Sequence, residues 1–168
     1  TVTAALAEAG CSVHSAPARI CLERRRELNA VRPVRTAPYP GFPTDAQPPM
    51  MAALCRARGT TVFVENIFES RYRHVDELVR MGADIKVEGR VAVVCGVPAL
   101  RGTRLRAADL RGGAALVVAA LGAEGKSVVT GLEHVDRGYQ NLDADLRRLG
   151  ARIWRTEDPE MGRPTDMM

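Results

Sequence analysis

An internal duplication constrains this fold more than any other feature of the sequence. The segment TDAQPPMMAALCRARGTTVFVENIFESRY, which begins at Thr44, aligns with LRGGAALVVAALGAEGKSVVTGLEHVDRGY after a shift of 66 residues. The same shift relates Asp45 to Arg111 and Arg71 to Arg137. Equal spacing over such a stretch indicates a repeated structural unit, and units of this size bury their apolar faces against one another. We therefore expect neither copy to fold alone.

Three amphipathic segments of the chain end in the same way. LAEAGCSVH, LVRMGADIKV and LRRLGARIWR each combine the end of a helix, a glycine and an alternating strand, with the glycines at Gly10, Gly82 and Gly150. Glycine at this point fits the left-handed residue that closes a helix. Helices therefore alternate with strands, which predicts an α/β fold of repeated units with right-handed crossovers.

The hydrophobic periodicity predicts the same five elements in each copy. Strand, helix, strand, helix and strand are expected at about 31–36, 46–58, 60–66, 74–81 and 83–88, and again at about 103–107, 110–123, 126–132, 139–149 and 151–155. Further strands are predicted at 90–95 and 18–22. A single domain is predicted over residues 1–155, with copies at about 31–95 and 103–155. Periodicity is lost after Arg155, which predicts a disordered tail at 156–168.

The composition argues against several classes of protein. The chain has 168 residues with a net charge of +4, which is less basic charge than a nucleic-acid site requires, and the run ERRRE at 23–27 is interpreted as a solvated loop. The four cysteines lack CxxC spacing, which favours buried free thiols in a reducing cytoplasm. The three histidines lack metal-ligand spacing, so no metal is predicted. No apolar run reaches transmembrane length, so no membrane partner is predicted.

A stiff loop precedes the first helix of the first copy. APYPGFPTDAQ, residues 37–47, contains three prolines, a glycine and two aromatic residues around one acid, Asp45. This stiffness indicates that the position of Asp45 matters. The next two residues, Pro48 and Pro49, fall in the first turn of the predicted helix, where one proline is tolerated but two leave the helix start open.

Four charged side chains stand at predicted element ends: Asp45, Arg71, Arg111 and Arg137. Duplicated units place equivalent loops on one face, so these residues either converge on a site for a small, highly anionic ligand or pair locally. The local alternatives are a pair of Asp109 with Arg111 and a pair of Asp136 with Arg137. Asp45 has a further structural alternative, which is to cap the helix that follows it.

Several segments carry a resemblance to a known family. RTAPYPGFPTD, FESRYRHVDELVRMGADI, ADLRGGAALVVAAL and HVDRGYQNLDADLRRLGARI resemble the UDP-N-acetylglucosamine enolpyruvyl transferases of the EPSP synthase family, over residues 3–155. The resemblance implies an inside-out α/β barrel of repeated units, here incomplete, with an active site in the cleft between two similar domains. It also implies transfer of the enolpyruvyl group of phosphoenolpyruvate to the 3-hydroxyl of UDP-N-acetylglucosamine, in the cytoplasm, without a metal or organic cofactor. In this family the reaction is the first committed step of peptidoglycan synthesis.

The resemblance also assigns roles to individual residues. Asp45 would contact the 3-hydroxyl of the sugar as the candidate general base, and the stiff loop would hold it within reach of that hydroxyl. Ile67 and Phe68 would lie on the UDP-sugar. The three arginines of the element ends would surround phosphoenolpyruvate, and Arg137 is the second predicted catalytic residue.

Departures from the family pattern limit these expectations. Ser70 replaces a usual asparagine, and no segment matches the family's flexible loop with its cysteine or aspartate acid, or its paired lysine and asparagine. The sequence is therefore expected to be a C-terminal portion that acts with the missing N-terminal part and is inactive alone. The alternatives are a truncated relic that at most binds UDP-sugar or a partner chain, and an arginine-rich nucleic-acid binder.

Overall fold

The computed structural model describes residues 1–24 and 26–157. In this part of the chain the helices are α1 (Val2–Glu8), α2 (Gln47–Leu54), α3 (Val75–Arg80), α4 (Leu110–Leu121), α5 (Leu132–Asp136) and α6 (Leu142–Arg148). The strands are β1 (Cys11–Ala16), β2 (Arg19–Arg24), β3 (Val34–Arg35), β4 (Thr60–Val64), β5 (Asp84–Glu88), β6 (Val91–Cys95), β7 (Arg104–Arg106) and β8 (Val128–Thr130). A short 3-10 turn, Thr44–Ala46, leads directly into α2.

The first copy of the duplication forms the larger sheet, with strand order β3-β4-β6-β5. β3 and β4 are parallel and are connected through α2, which makes a strand–helix–strand unit. β6 lies between β4 and β5 and is antiparallel to both. Alternation along β4 buries Thr61 and Phe63, while their neighbours are partly exposed.

The second copy forms a smaller version of the same unit. β7 and β8 are parallel and flank α4 in the chain. α4 packs against α2, so Leu116 and Ala115 of the second copy share one core with Met51, Leu54 and Phe63 of the first. This shared core gives the physical reason for expecting that neither copy folds alone, because each would expose the apolar face that the other covers.

The two adjacent prolines do not prevent α2 from starting where the sequence predicts. Pro48 and Pro49 lie in the first turn of the helix, whose backbone N–H groups have no intrahelical acceptor and which therefore tolerates proline. The helix ends at Leu54 rather than at about 58. The chain then turns through Gly59, whose φ of 99° is the left-handed conformation that favours glycine.

The predicted strand at 151–155 is wrong, since these residues form no strand. In the first copy the corresponding strand, β5, is held by β6, and no strand follows α6 within the described residues to play that part. Arg155 instead bonds the carboxylates of Asp136 at 2.7 Å and Asp143 at 2.8 Å. The segment is therefore tied down by side-chain ion pairs.

The start of the last helix also differs from the prediction. α6 begins at Leu142 rather than at about 139, because Asn141 adopts a left-handed conformation with φ of 53°. The short helix α5, which follows the left-handed Gly131, was not predicted. The predicted tail at 156–168 falls outside the described residues from position 158 onwards.

The cysteines are free, as predicted, but they are not all buried. Cys11 and Cys55 are buried, Cys95 is partly exposed, and Cys21 is exposed on β2. Burial raises the pKa of the Cys55 thiol to about 12. Residues 1–24 and 26–157 contain no group of three or more His, Cys, Asp or Glu side chains placed to hold a metal ion. None of the helices in the same ranges is long and apolar enough to cross a membrane.

Candidate functional site

The carboxylate of Asp45 lies between two arginines. Arg71 Nη2 donates to Asp45 Oδ1 at 2.7 Å, and Arg111 Nη2 donates to Asp45 Oδ2 at 2.9 Å. Each oxygen of the carboxylate thus has its own guanidinium partner. The structure brings together three of the four charged residues that the sequence placed at element ends.

The duplication explains why these residues meet. Asp45 lies in the turn before α2, Arg111 lies in the first turn of α4, and the two helices pack against each other. Two glycines allow α4 to start in a crowded place. A Cβ on Gly113 would lie 2.6 Å from a methyl of Val135, and a Cβ on Gly112 would lie 3.0 Å from His74 Cβ. Close packing at the start of α4 therefore depends on the absence of side chains there.

The structure does not form the local pairs that the sequence left open. Asp109 caps α4, because its Oδ1 accepts a hydrogen bond from Gly112 N at 2.7 Å, while Arg111 turns to Asp45. Asp136 pairs with Arg155 rather than with Arg137. Asp45 caps no helix, since neither the turn that contains it nor α2 has a side-chain cap hydrogen bond.

The arginines keep Asp45 ionised. The hydrogen bond from Arg111 holds the pKa of the Asp45 carboxyl below its usual range, Arg71 acts in the same direction, and partial burial opposes both. The pKa of Arg111 is raised in turn, first by Asp45 and then by Tyr139. The Asp45 side chain remains 57% exposed, whereas the Arg71 side chain is only 15% exposed. Because this carboxylate is accessible, an incoming anion can replace it as the acceptor of the two guanidinium groups.

Tyr139 supports Arg111 from the other side. Its hydroxyl accepts a hydrogen bond from Arg111 Nη1 at 2.8 Å, and the guanidinium carbon lies 5.3 Å from the centre of the tyrosine ring. Arg71 has a similar aromatic neighbour, because its guanidinium carbon lies 5.2 Å from the centre of the Phe68 ring. Cation–π contacts of this kind restrain the planar guanidinium groups.

Ile67 and Phe68 lie beside this cluster on the turn after β4. They line an open pocket of about 600 Å³ together with Glu69, Ser70, Arg71, Arg73, Arg90 and Asp109. The exposed fractions of Ile67 and Phe68 are 39% and 50%, so both present apolar surface to solvent at the edge of the cluster. The pocket therefore combines two apolar side chains with three arginines and two carboxylates.

Arg137 is not joined to Asp45 in this structure. It lies at the end of α5, and its Nη2 is 3.5 Å from His134 Nδ1. Within the described ranges it forms no ion pair with Asp45. Its neighbour two residues on is Tyr139, which bonds Arg111. Arg137 therefore lies close along the chain to the cluster, and its predicted role stays a prediction.

The sequence analysis missed Glu65, which is buried behind the site. Glu65 is 1% exposed and accepts hydrogen bonds from the loop that contains Asp45 and from the turn that contains Ile67. A signal for it exists in the sequence. The period-2 alternation that buries Thr61 and Phe63 also directs Glu65 inwards.

His74 is a second buried polar residue near the site. It lies just before α3 and is 2% exposed. Burial lowers the pKa of its imidazole to about 4, although the nearby Asp109 acts in the opposite direction. Neither ring nitrogen has a hydrogen-bond partner among the described residues. His74 is therefore neutral at pH 7 and packs as a largely apolar side chain behind Arg71 and Asp109.

Fold and site together define a class of protein: a repeated α/β domain with a cationic wall suited to a small anionic ligand. Comparison with known proteins narrows that class. The model of the EPSP synthase (3-phosphoshikimate 1-carboxyvinyltransferase) family matches residues 1–157, and the chain belongs to this family.

The curated relatives have a more specific name. The chain is 55% identical over 152 residues to a UDP-N-acetylglucosamine 1-carboxyvinyltransferase of Desulfofundulus thermocisternus, covering 90% of this chain and 62% of the relative. It is 51% identical over 150 residues to UDP-N-acetylglucosamine 1-carboxyvinyltransferase 2 of Caldanaerobacter subterraneus subsp. tengcongensis, covering 89% of this chain and 36% of the relative. The chain thus spans only part of the length of these relatives.

Solved structures confirm the predicted fold class. The enolpyruvyl transferase NikO from Streptomyces tendae superposes with a TM-score of 0.80 at 30% identity, over 89% of this chain and 35% of that one. EPSP synthase from Acinetobacter baumannii gives a TM-score of 0.56 at 19% identity, over 82% of this chain and 36% of that one, and supports the fold alone. The chain is a partial enolpyruvyl-transferase domain.

Proposed function

We propose that this chain is part of an enzyme that transfers the enolpyruvyl group of phosphoenolpyruvate to the 3-hydroxyl of UDP-N-acetylglucosamine. The observation that carries the proposal is the carboxylate of Asp45 held between Arg71 and Arg111 at the end of a stiff loop. The names of the curated relatives supply the substrate class. Together they favour a sugar nucleotide over a nucleic acid as the acceptor. A role in the cytoplasmic stage of peptidoglycan synthesis is part of the proposal.

The two arginines suit phosphoenolpyruvate because it carries a phosphate and a carboxylate within a few atoms of each other. Guanidinium groups bind both kinds of oxygen through paired N–H donors. Nη2 of Arg71 and Nη2 of Arg111 both donate to a carboxylate in this structure, so both can bind an oxyanion at this place. An anion bound to Arg71 and Arg111 would replace the carboxylate of Asp45 as their partner.

Asp45 would then act on the acceptor sugar. Once the arginines face the incoming anion, the factor that lowers the pKa of Asp45 is removed, and its carboxylate becomes a better proton acceptor. The 3-hydroxyl gives its proton to Asp45 as its oxygen bonds to the enolpyruvyl carbon, while the methylene carbon of the double bond takes up a proton from a general acid that the described residues do not supply. Return of one methyl proton to that group then re-forms the double bond as the bond to the phosphate oxygen breaks, which releases phosphate. Arg137, from the end of α5, would complete the cationic surround of the departing phosphate.

Ile67 and Phe68 would bind the UDP-sugar. Both are partly exposed apolar side chains on the turn after β4, next to Arg71. An aromatic ring beside a guanidinium offers a stacking surface and a phosphate contact in one place.

A non-catalytic role is the second candidate, and the partial coverage of the relatives favours it for the 168-residue chain in isolation. An active site that excludes water needs two walls, and the described residues form one. In the isolated chain we expect UDP-N-acetylglucosamine binding at most, with no turnover.

Phosphate release from the two substrates tests the proposal. The protein should be assayed in full length and as the 168-residue chain, each beside a sample without protein. We expect turnover in the full-length protein and none in the 168-residue chain. Full-length protein that binds UDP-N-acetylglucosamine but releases no phosphate would support the non-catalytic alternative. Sustained turnover by the 168-residue chain would show that one wall is sufficient.

A further inference from the structure

We propose that Glu65 is a positioning residue that sets the distance between the Asp45 loop and the turn of Ile67 and Phe68. The proposal rests on the function proposed above for those two segments. Glu65 itself touches neither substrate position, because it is 1% exposed and lies behind the site. It would act only through the groups that it holds.

The first group held by Glu65 is the turn after β4. Glu65 Oε1 accepts hydrogen bonds from Ile67 N at 2.8 Å and from Phe68 N at 3.0 Å. A backbone N–H can only donate, so the glutamate serves as an acceptor for both. The turn that presents the two apolar side chains to the pocket is thus folded around one carboxylate oxygen.

The second group is the loop that contains Asp45. Glu65 Oε2 accepts a hydrogen bond from Thr44 Oγ1 at 3.0 Å, and the carbonyl of Thr44 accepts one from Arg71 Nη2 at 3.1 Å. Thr44 is therefore held through its side chain by Glu65 and through its carbonyl by Arg71. Asp45 is the next residue, so the contacts that hold Thr44 also restrain the backbone of Asp45.

The third group is the end of β3. Thr36 is fully buried and donates from Oγ1 to Glu65 Oε1 at 2.9 Å, while Asn66 N donates to the same threonine oxygen at 2.8 Å. The carboxylate of Glu65 thus joins the stem of the stiff loop, the end of that loop and the turn after β4. A buried polar network rigidifies its surroundings when every member is satisfied, as here.

The hydrogen bonds of Glu65 differ from an ordinary structural hydrogen bond because both segments of the proposed acceptor site, the Asp45 loop and the turn of Ile67 and Phe68, depend on them. Asp45 must lie within hydrogen-bond reach of the reacting hydroxyl, and Ile67 and Phe68 must hold the sugar nucleotide that carries this hydroxyl. A displacement of either segment by about 1 Å lowers the rate by about 10²-fold. Glu65 fixes their relative placement through its two oxygens.

The test compares Glu65→Leu and Glu65→Gln with Thr61→Val in the full-length protein. Thr61 lies on β4, which ends just before Glu65, and its Oγ1 accepts a buried hydrogen bond from Val31 N at 3.1 Å. Thr61→Val therefore also breaks a buried hydrogen bond, but one away from the site. We expect Glu65→Leu to lower kcat about 10²-fold and to raise KM for UDP-N-acetylglucosamine. Glu65→Gln keeps one acceptor oxygen and should recover most of the loss.

A second measurement, amide hydrogen exchange, tests the hydrogen bonds of Glu65 without any substrate. The amides of Ile67 and Phe68 should exchange with deuterium faster in Glu65→Leu than in the wild type, and at a nearly unchanged rate in Glu65→Gln and Thr61→Val. Thr44→Val removes the hydrogen bond to Glu65 Oε2, so its effect on kcat should be non-additive with that of Glu65→Leu. If Glu65→Leu fails to fold, Thr44→Val alone should lower kcat, and a kcat equal to that of Thr61→Val would overturn the positioning role.

The outcomes separate this proposal from the proposed function. Absence of turnover in the wild type would refute the function, and the amide exchange would still decide the role of Glu65. Unchanged exchange at Ile67 and Phe68 in Glu65→Leu would overturn the positioning role. So would kcat and KM values, per folded molecule, that match those of Thr61→Val, because a residue that only stabilises the fold changes the amount of folded protein and not its KM.

Discussion

Replacing Asp45 by asparagine separates its chemical role from its structural role. Asp45→Asn keeps the shape of the side chain and one acceptor oxygen but removes the charge that faces Arg71 and Arg111. Because the Asp45 side chain is 57% exposed, water screens both ion pairs, and each contributes about 0.2–1 kcal/mol to stability. We therefore expect the free energy of unfolding to fall by at most about 2 kcal/mol.

The expected effect on the rate is larger. A positioned general base contributes about 10² to 10⁴ in rate, which corresponds to about 3–5 kcal/mol in the activation barrier. UDP-N-acetylglucosamine should still bind, since an asparagine side chain can hydrogen-bond the 3-hydroxyl. Loss of kcat with little change in stability is thus the signature of a base.

Asp143→Asn is the matched control. Asp143 also lies between two arginines, with Arg147 and Arg155 each at 2.8 Å, and its side chain is 15% exposed. Its substitution should cost at least as much stability as that of Asp45 and leave kcat unchanged. The measurements are steady-state phosphate release and denaturant unfolding of both full-length variants. A kcat near the wild-type value for Asp45→Asn would refute the assignment of the base.

Three further predictions use other parts of the chain. Arg111→Ala should lower kcat/KM for phosphoenolpyruvate by a factor that corresponds to about 1.5–3 kcal/mol of transition-state binding, whereas Arg58→Ala at the surface should leave it unchanged. Equal effects of the two substitutions in steady-state kinetics would show that Arg111 is only a surface charge. His74 should lower the free energy of unfolding by about 3 kcal/mol as the pH drops from about 6.5 to about 4, because it is neutral in the fold and takes up a proton on unfolding. Urea unfolding at several pH values should therefore show a smaller dependence of this free energy on pH for His74→Leu. Gly96→Ala should destabilise the fold by about 1–3 kcal/mol or more, since its Cβ would lie 1.5 Å from the carbonyl oxygen of Ala57, and an unchanged thermal midpoint would contradict this.

The parts of the fold that the sequence predicted well are those where the pattern of one element is sufficient. The Gly10, Gly82 and Gly150 positions all adopt the left-handed conformation expected after a helix, with φ between 93° and 101°. The helix after the stiff loop begins where periodicity placed it. The strand predicted at 151–155 failed because a strand also requires a partner, and its alternating pattern says nothing about whether a neighbour is present.

The candidate site was predicted to a similar extent. The 66-residue shift pointed to a meeting of Asp45 and Arg111, because equivalent positions of packed repeats lie near one another. It could not foresee that Asp45 would bond both arginines, since side-chain pairing depends on rotamers and on competing partners. Glu65 was missed because a glutamate at a strand end is usually exposed to solvent. It is buried only where several hydrogen-bond donors satisfy its carboxylate, and the strand pattern does not reveal those donors.

The ion pair of Asp45 and Arg111 has a consequence for the symmetry of the molecule. The two residues hold the same place in the two copies, yet their charges are opposite. A chain made of two identical first copies would set one aspartate against another at about the same distance, and two like charges there would repel. Duplication therefore brought the two positions close together, and the opposite charges of the residues that now occupy them make their interaction attractive. The copies are complementary rather than interchangeable, and either one used twice would lose the contact that the present pair makes.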